Sequence, residues 1–202
     1  PYISGNWWRF RTPESMLEEA KYWYDKGYRR LEYLDDNFSL DQNRIIRFCD
    51  LVEQNNLKGM IFNVPQGVRA DRVTHELLAK MKKTGFISIA FGVEVGNEKM
   101  LSFVKKGESM QTIEKAIQDA IDVGFDVHLN MMVGFPDQTV EDVEDTFNFA
   151  LKYPIRWATF NNFVPYLGTE GYRNAVERNL FLIQPEDYLN DVNPKSERII
   201  IA

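Results

Sequence analysis

The sequence predicts a parallel α/β fold that curls into an open or partial barrel around a ligand cavity. Three observations carry that expectation. First, helix, turn and β-rich run recur in register. Turn positions near Gly27, Asn56, Gly85, Gly124 and Tyr153 lie 29, 29, 39 and 29 residues apart, and one βα unit with its two short loops needs about 30. Second, Ile87 to Gly96 alternates with period 2: Ile87, Ile89, Phe91 and Val93 are apolar, while Ser88, Ala90, Gly92 and Glu94 are small or acidic. Such a strand packs its bulky face on helices and turns its other face to something polar. Third, the face opposite the helices is small and polar in other strands too, whereas a closed eight-stranded barrel fills its lumen with branched apolar side chains.

The elements follow in order. Pro1 to Arg11 is aromatic and irregular, and Asn6-Trp7-Trp8-Arg9-Phe10-Arg11 is expected to pack against the body of the domain. Thr12-Pro13-Glu14 starts a helix, with a Thr cap, Pro at the first helical position and an acid in the first turn; it runs towards Lys26 and stops at Gly27. Strands are expected at Tyr28 to Leu34, Lys58 to Val64, Ile87 to Val93, Asp126 to Val133 and Ile155 to Phe163. Between them, Ser39 with Gln42 forms a capping-box pattern, Thr74 precedes His75-Glu76-Leu77-Leu78, and Thr139 precedes Val140-Glu141-Asp142. The long interval holds an insertion, Asn97 to Gly107, which directly follows Glu94 and is expected to form a short extra helix at the ligand end. After Phe163 come a turn at Val164 to Thr169 and a helix from about Gly171. The segment from Pro185 to Ala202 is polar apart from Ile199-Ile200-Ile201, and the pattern does not place it.

Composition narrows the class. A chain of 202 residues suits one domain, 1–202, with core βα units over 11–175 and a C-terminal extension over 176–202. Its 44% hydrophobic and 13% aromatic content speaks against disorder. A formal charge of −6 disfavours a general nucleic-acid surface. No apolar run approaches the roughly 20 residues that span a bilayer, and no leader is evident, so a cytoplasmic location is expected. The single cysteine, Cys49, lies in a helical stretch and excludes a disulfide framework.

The inward face reads Glu32, Leu34 and Asp36 on the first strand and Asn63 near the end of the second. It continues as Ser88, Ala90, Gly92 and Glu94 on the third, His128, Asn130 and Met132 on the fourth with Gly134 at its end, and Asn161 and Asn162 closing the fifth. Metal-bound-water hydrolysis needs several His or acid ligands, and the chain holds only His75 and His128. Schiff-base chemistry needs a lumen lysine on a strand, and Lys58 is at the wrong end. No P-loop or dinucleotide fingerprint occurs. Hydrogen-bonding groups without a protein catalyst point to chemistry carried by a cofactor.

Several stretches match one family in order. They are Arg9 to Glu14, Leu34-Asp35-Asp36-Asn37-Phe38, Pro65 to Val73, Phe91 to Asn97 followed by Leu101 and Lys105-Lys106-Gly107, Val133 to Thr139, and Pro165 to Thr169. Together, over about Arg9 to Tyr172, the chain resembles the radical S-adenosylmethionine (SAM) superfamily, most closely the branch that includes cobalamin-binding members. The resemblance implies a partial (β/α)6 TIM-like barrel with parallel strands two to six present and the first absent or truncated. It implies that Asp35, Asp36 and Asn37 stand where the family binds the methionine amino group of SAM. Glu94 matches the acid on the ribose hydroxyls, and Lys106, or else Lys105, matches the base near the methionine carboxylate. Carboxylates suit an ammonium and paired hydroxyls alike. Gly134, Phe135 and Pro136 with Val164, Pro165 and Tyr166 would flank the adenine. Asn63, Arg69, His128 and Asn130 are lumen or loop candidates for substrate; no residue is assigned as catalytic or metal-ligating.

The family signature, Cys-x3-Cys-x2-Cys, ligates three irons of a [4Fe–4S] cluster with thiolates. It is missing from these 202 residues, and Cys49 cannot replace it. Pro1-Tyr2 resembles the residues that often follow its first cysteine, so the loop is expected to be truncated, deleted or disordered, with the cluster ligands outside the sequence given. A full sequence with no cysteine triplet upstream of Ile3 would overturn that. The resemblance implies SAM and a [4Fe–4S] cluster as cofactors, admits cobalamin, and implies a reductant and an unidentified substrate as partners. In the intact enzyme, reductive cleavage of SAM would yield methionine and a 5′-deoxyadenosyl radical that abstracts hydrogen from substrate. Two other readings stay open here: a non-catalytic SAM- or nucleotide-binding barrel that has lost its cluster, and a partial-barrel enzyme of unrelated chemistry.

Overall fold

The computed structural model describes residues 9–182; the expectations for residues 1–8 and for Ile199-Ile200-Ile201 lie outside the described residues. Helix α1 (Pro13–Asp25) opens as its sequence dictates, with Thr12 Oγ1 accepting from the Ser15 N–H at 3.2 Å. Strand β1 is short, Arg30–Glu32, rather than reaching from Tyr28 to Leu34. Helix α2 (Gln42–Gln54) is capped by Asp41, whose carboxylate accepts from the Arg44 N–H at 3.1 Å. The expected Ser39/Gln42 box is therefore corrected. Ser39 is buried in the turn after Phe38, and a carboxylate two residues later is an equally good cap that also meets the positive end of the helix dipole.

Strand β2 runs Ile61–Val68, straight through Pro65 and four residues beyond the expected end at Val64. The ladder explains this. Val64 pairs with Ile89 and Val68 with Phe91, so the stretch between carries extra residues as a bulge. A bulge is where a strand tolerates Pro, and Gly67 takes the φ of +114° that the bulge requires. Helix α3 (His75–Thr84), capped by Thr74, leads to β3 (Phe86–Glu94). Then come α4 (Glu98–Phe103), the expected insertion helix, and α5 (Met110–Val123). Strand β4 (Asp126–Val133) matches its expected bounds, α6 (Val140–Leu151) closes a Thr139/Asp142 capping box, and β5 (Trp157–Asn162) and α7 (Glu170–Glu177) follow.

The five strands are parallel and ordered β1-β2-β3-β4-β5, curled into a half-barrel with the helices outside. Its convex face carries the core. Phe62 and Phe86 meet Tyr33, Phe38 and Phe48 with ring centroids 5.0–6.4 Å apart. Ile89, Phe91, Val127, Leu129 and Met131 continue that face and are fully buried. The concave face is left to the polar partners of the alternation. Register sets Asn63 beside Ser88, Ala90 beside His128 and Trp157, and Gly92 beside Asn130 and Thr159.

Candidate functional site

At the carboxyl end of β3 the ladder slips: Gly92 pairs with Asn130, but Glu94 pairs with Met131. Glu94 has φ +72°, and the Val95 N–H donates to the Val93 carbonyl at 3.0 Å across it. That is the rarer, strained γ-turn, a conformation an acid adopts only when its surroundings impose it. The turn folds the side chain back over the concave face. A methyl group on Gly92 would stand 3.1 Å from Glu94 Oε1 and 3.3 Å from Lys106 Nζ. Lys106 donates to Glu94 Oε1 at 3.1 Å. Gly67 and Gly92 meet beneath the pair, where a methyl group on Gly67 would stand in ordinary contact with Gly92 N at 3.5 Å and Asn130 Nδ2 at 3.6 Å. The structure thus brings Glu94, Lys106, Asn130 and two glycines together. Lys105 goes elsewhere, donating to Glu170 at 2.7–2.8 Å at the surface.

Arg69 joins the same rim from the end of β2. It donates from Nε and Nη2 to the two carboxylate oxygens of Asp71 at 2.9 and 3.2 Å, and from Nη1 to the Lys106 carbonyl at 3.1 Å. The bidentate bond raises the Arg69 pKa and lowers that of Asp71. The sequence reading missed Glu108. Its side chain is fully buried, and Oε1 accepts from the Asp71 N–H at 3.0 Å. Oε2 has no hydrogen-bond partner and stands 4.0 Å from both Arg69 Nη2 and Lys106 Nζ. The only signal in the sequence was its position two residues after Lys106.

Asp35, Asp36 and Asn37 lie in the loop after β1. Asp35 is 3.5 Å from the buried Arg44 guanidinium. Asp36 is exposed, and Asn37 Oδ1 is buried without a partner. On the other side, Gly134 and Phe135 donate their N–H groups to Gln138 Oε1 at 2.7 and 3.3 Å. This holds the Phe135 ring against Phe163 at 4.8 Å and Phe103 at 6.2 Å. A mostly apolar pocket of about 260 Å³ opens there, lined by Phe103, Phe135, Pro136, Phe163 and Gly171 together with the Lys105–Glu170 pair. Val164, Pro165 and Tyr166 do not line it. Val164 packs against Ala175, Tyr166 is exposed, and Phe163 is the residue of this stretch that lines the pocket.

Deeper on the concave wall, Ser88 Oγ donates to Asn63 Oδ1 at 2.8 Å. His128 is buried and stacks on Trp157 at 3.6 Å; burial lowers its pKa, so the imidazole stays neutral at pH 7. Asn161 Oδ1 is buried and unpartnered. Trp157 and Thr159 belong to this wall through register with His128 and Asn130. Reading β5 from its end alone, at Asn161 and Asn162, had not found them.

A carboxylate aimed over a glycine floor suits a vicinal diol. A buried, unpartnered amide oxygen suits an ammonium, and an aromatic-walled pocket suits a flat heterocycle. The donor set therefore fits a nucleoside carrying an amino acid. It does not fit an iron–sulfur cluster. The one cysteine, Cys49, is buried on α2 with its thiol pushed up to about 11 by burial, and no cluster of metal-ligating side chains occurs among the described residues.

Comparison with known proteins gives a consistent answer. The family described as the radical SAM superfamily matches residues 2–150. An uncharacterised methyltransferase of Pyrococcus horikoshii is 31% identical over 88% of this chain and 38% of its own length. The cytidylyl-2-hydroxyethylphosphonate methyltransferase of Streptomyces wedmorensis is 23% identical over 90% of this chain and 34% of its own. Among solved structures, the radical SAM methyltransferase TsrM from Kitasatospora setae, with cobalamin and a [4Fe-4S] cluster bound, superposes with a TM-score of 0.68 at 14% identity. That match covers 77% of this chain and 30% of TsrM. The chain spans little more than a third of the length of these curated relatives.

Proposed function

The chain belongs to the radical SAM superfamily, and from that premise we propose that it is the SAM-holding core of a radical SAM enzyme. The observation that carries the reading is Glu94, turned back over Gly92 by a strained turn and held by Lys106 at 3.1 Å. In this reading Glu94 accepts from the ribose hydroxyls and Lys106 faces the methionine carboxylate. Asn37, with Asp35 and Asp36, receives the ammonium, and the Phe135–Pro136 wall takes the adenine. The half-barrel would hold SAM at this rim, and Asn63, His128 and Asn130 on the concave wall would meet an uncharged, hydrogen-bonding part of a substrate.

Reductive cleavage of SAM beside a [4Fe–4S] cluster would supply a 5′-deoxyadenosyl radical; the thiolates for that cluster are not among these residues. The similarity to methyltransferases, one of them cobalamin-bound, supports methyl transfer with cobalamin held outside this chain. An electron donor is the further partner. A reducing cytoplasm suits an oxygen-labile cluster, and among the described residues no helix is long and apolar enough to cross a membrane.

Two measurements test the reading. SAM binding to the chain should weaken at least about tenfold in Glu94→Gln, since a charge-assisted hydrogen bond contributes about 1.5–3 kcal/mol. The complete protein, loaded with iron and sulfide without oxygen, should release 5′-deoxyadenosine from SAM. A cluster-loaded protein that leaves SAM intact overturns the proposal.

A further inference from the structure

A vicinal diol that takes both oxygens of the Glu94 carboxylate competes with Lys106 for Oε1, the oxygen that now holds it, and an ammonium displaced in that way needs somewhere to go. An ammonium left unpaired in this partly buried rim opposes binding. Glu108 offers an acceptor already in place. Its side chain is fully buried, and its Oε2 has no hydrogen-bond partner while lying 4.0 Å from Lys106 Nζ. Its other oxygen is tied to the Asp71 N–H at 3.0 Å, and Asp71 is itself locked to Arg69 by two hydrogen bonds. Arg69 in turn donates to the Lys106 carbonyl at 3.1 Å. Glu108, on the same loop as Lys106, is thus tied to the backbone of the segment after β2 by one oxygen, with the other idle. A buried acceptor left unmet is costly, so one that a native structure keeps calls for an explanation, and a partner that arrives with the ligand supplies one.

We propose that Glu108 is a positioning residue on which the Lys106 ammonium comes to rest when a ligand engages Glu94. The proposal rests on the SAM reading above and adds to it how the rim exchanges partners. A ligand without a carboxylate of its own replaces the hydrogen bond from Lys106 to Glu94 with one to Glu108, whose idle oxygen is satisfied in the same step; with SAM the methionine carboxylate shares that role. Lys106 stays near the ligand throughout, and Arg69 Nη2 stands 4.0 Å from the same Glu108 oxygen.

Calorimetric titration of the chain with SAM and with 5′-methylthioadenosine, which keeps the ribose and adenine but has no amino acid, tests this. With the second ligand no carboxylate is present to receive Lys106, so the demand on Glu108 is greatest. Glu108→Gln keeps an oxygen for the Asp71 N–H but removes the charge. It should weaken 5′-methylthioadenosine about tenfold, and SAM less. In a Lys106→Met background the same change should have almost no effect, because nothing then needs the acceptor. Equal losses in both backgrounds would show a merely structural role and overturn the proposal. So would unchanged affinity in Glu108→Gln while Glu94→Gln abolishes binding, and in that case the SAM reading stands. If the unaltered chain binds neither ligand, or Glu94→Gln changes nothing, the SAM reading fails and this inference with it. Should Glu108→Gln not fold, Glu108→Asp, which draws the charge back by one methylene, takes its place with the same outcomes.

Discussion

Glu94 is a residue whose chemistry and backbone pull in opposite directions. At φ +72° an acid is strained by about 1–3 kcal/mol, whereas glycine adopts that conformation without steric cost. In an ordinary strand Gly is less stable than Ala; here the order should invert. Glu94→Gly should be more stable than Glu94→Ala by about 1 kcal/mol in denaturant unfolding, and both should lose SAM binding. The reverse order would mean that the turn relaxes once the carboxylate is gone. The alternation of the sequence put Glu94 at the ligand end of its strand but had it continue the inward row. It is the extra residue in the ladder, set by pairing with β4, that turns the carboxylate back over Gly92. Lys105 and Lys106 are indistinguishable in the sequence as adjacent bases. Only the path of the loop after α4 assigns one to Glu170 and the other to Glu94.

Between β3 and α4 the chain is clamped onto α6, and that clamp sets where Lys106 stands. The backbone of Gly96 passes so close that a methyl group there would lie 2.4 Å from the Asp145 carbonyl oxygen. Asn97 donates to Asp142 and Asp145 at 3.0 and 2.8 Å, and Lys99 donates to Asp142 at 2.6 Å. The Lys99 ammonium, with the N–H of the Thr139 cap, holds the Asp142 carboxyl far below its ordinary 3.8. A depressed carboxyl pKa stabilises the fold above the unfolded-state value, and that contribution is lost as pH falls through the folded one. Asp142→Asn should therefore lower the Tm by several degrees at pH 7. The gap to the unaltered chain should close steadily as pH is taken below 3.8; a gap independent of pH would mean that the carboxylate charge plays no part. The Thr139 box was legible in the sequence because capping is local. The partners Asn97 and Lys99 were not, since they reach Asp142 across more than 40 residues of chain.

At the scale of the whole molecule, one continuous core on the convex face ties the helices to the sheet, with Phe62 and Phe86 at its centre. Phe62 is fully buried against Tyr33, Phe48 and Phe86. Phe62→Ala should cost about 3–5 kcal/mol and shift a single cooperative transition in circular dichroism and in tyrosine fluorescence together. Separate transitions would divide the half-barrel into independent units. The concave face contributes little to this core, which leaves its polar residues free to serve a ligand. The half-barrel is thus held together from outside while its site is built inside.

The sequence by itself determined the number and order of the βα units, the insertion after β3, the caps Thr12, Thr74 and Thr139, and the small, polar side of β3. These are set by local chemistry: cap residues, turn residues and a two-residue side-chain period act within a few positions of one another. The tertiary structure alone decided that β2 continues through Pro65, that Asp41 rather than Ser39 caps α2, that Phe163 lines the apolar pocket, and that Glu108 stands beside Lys106. Each of these depends on which distant residue arrives alongside. Bulges, ion pairs and buried unpartnered oxygens are properties of that meeting, and no periodicity along one strand encodes them.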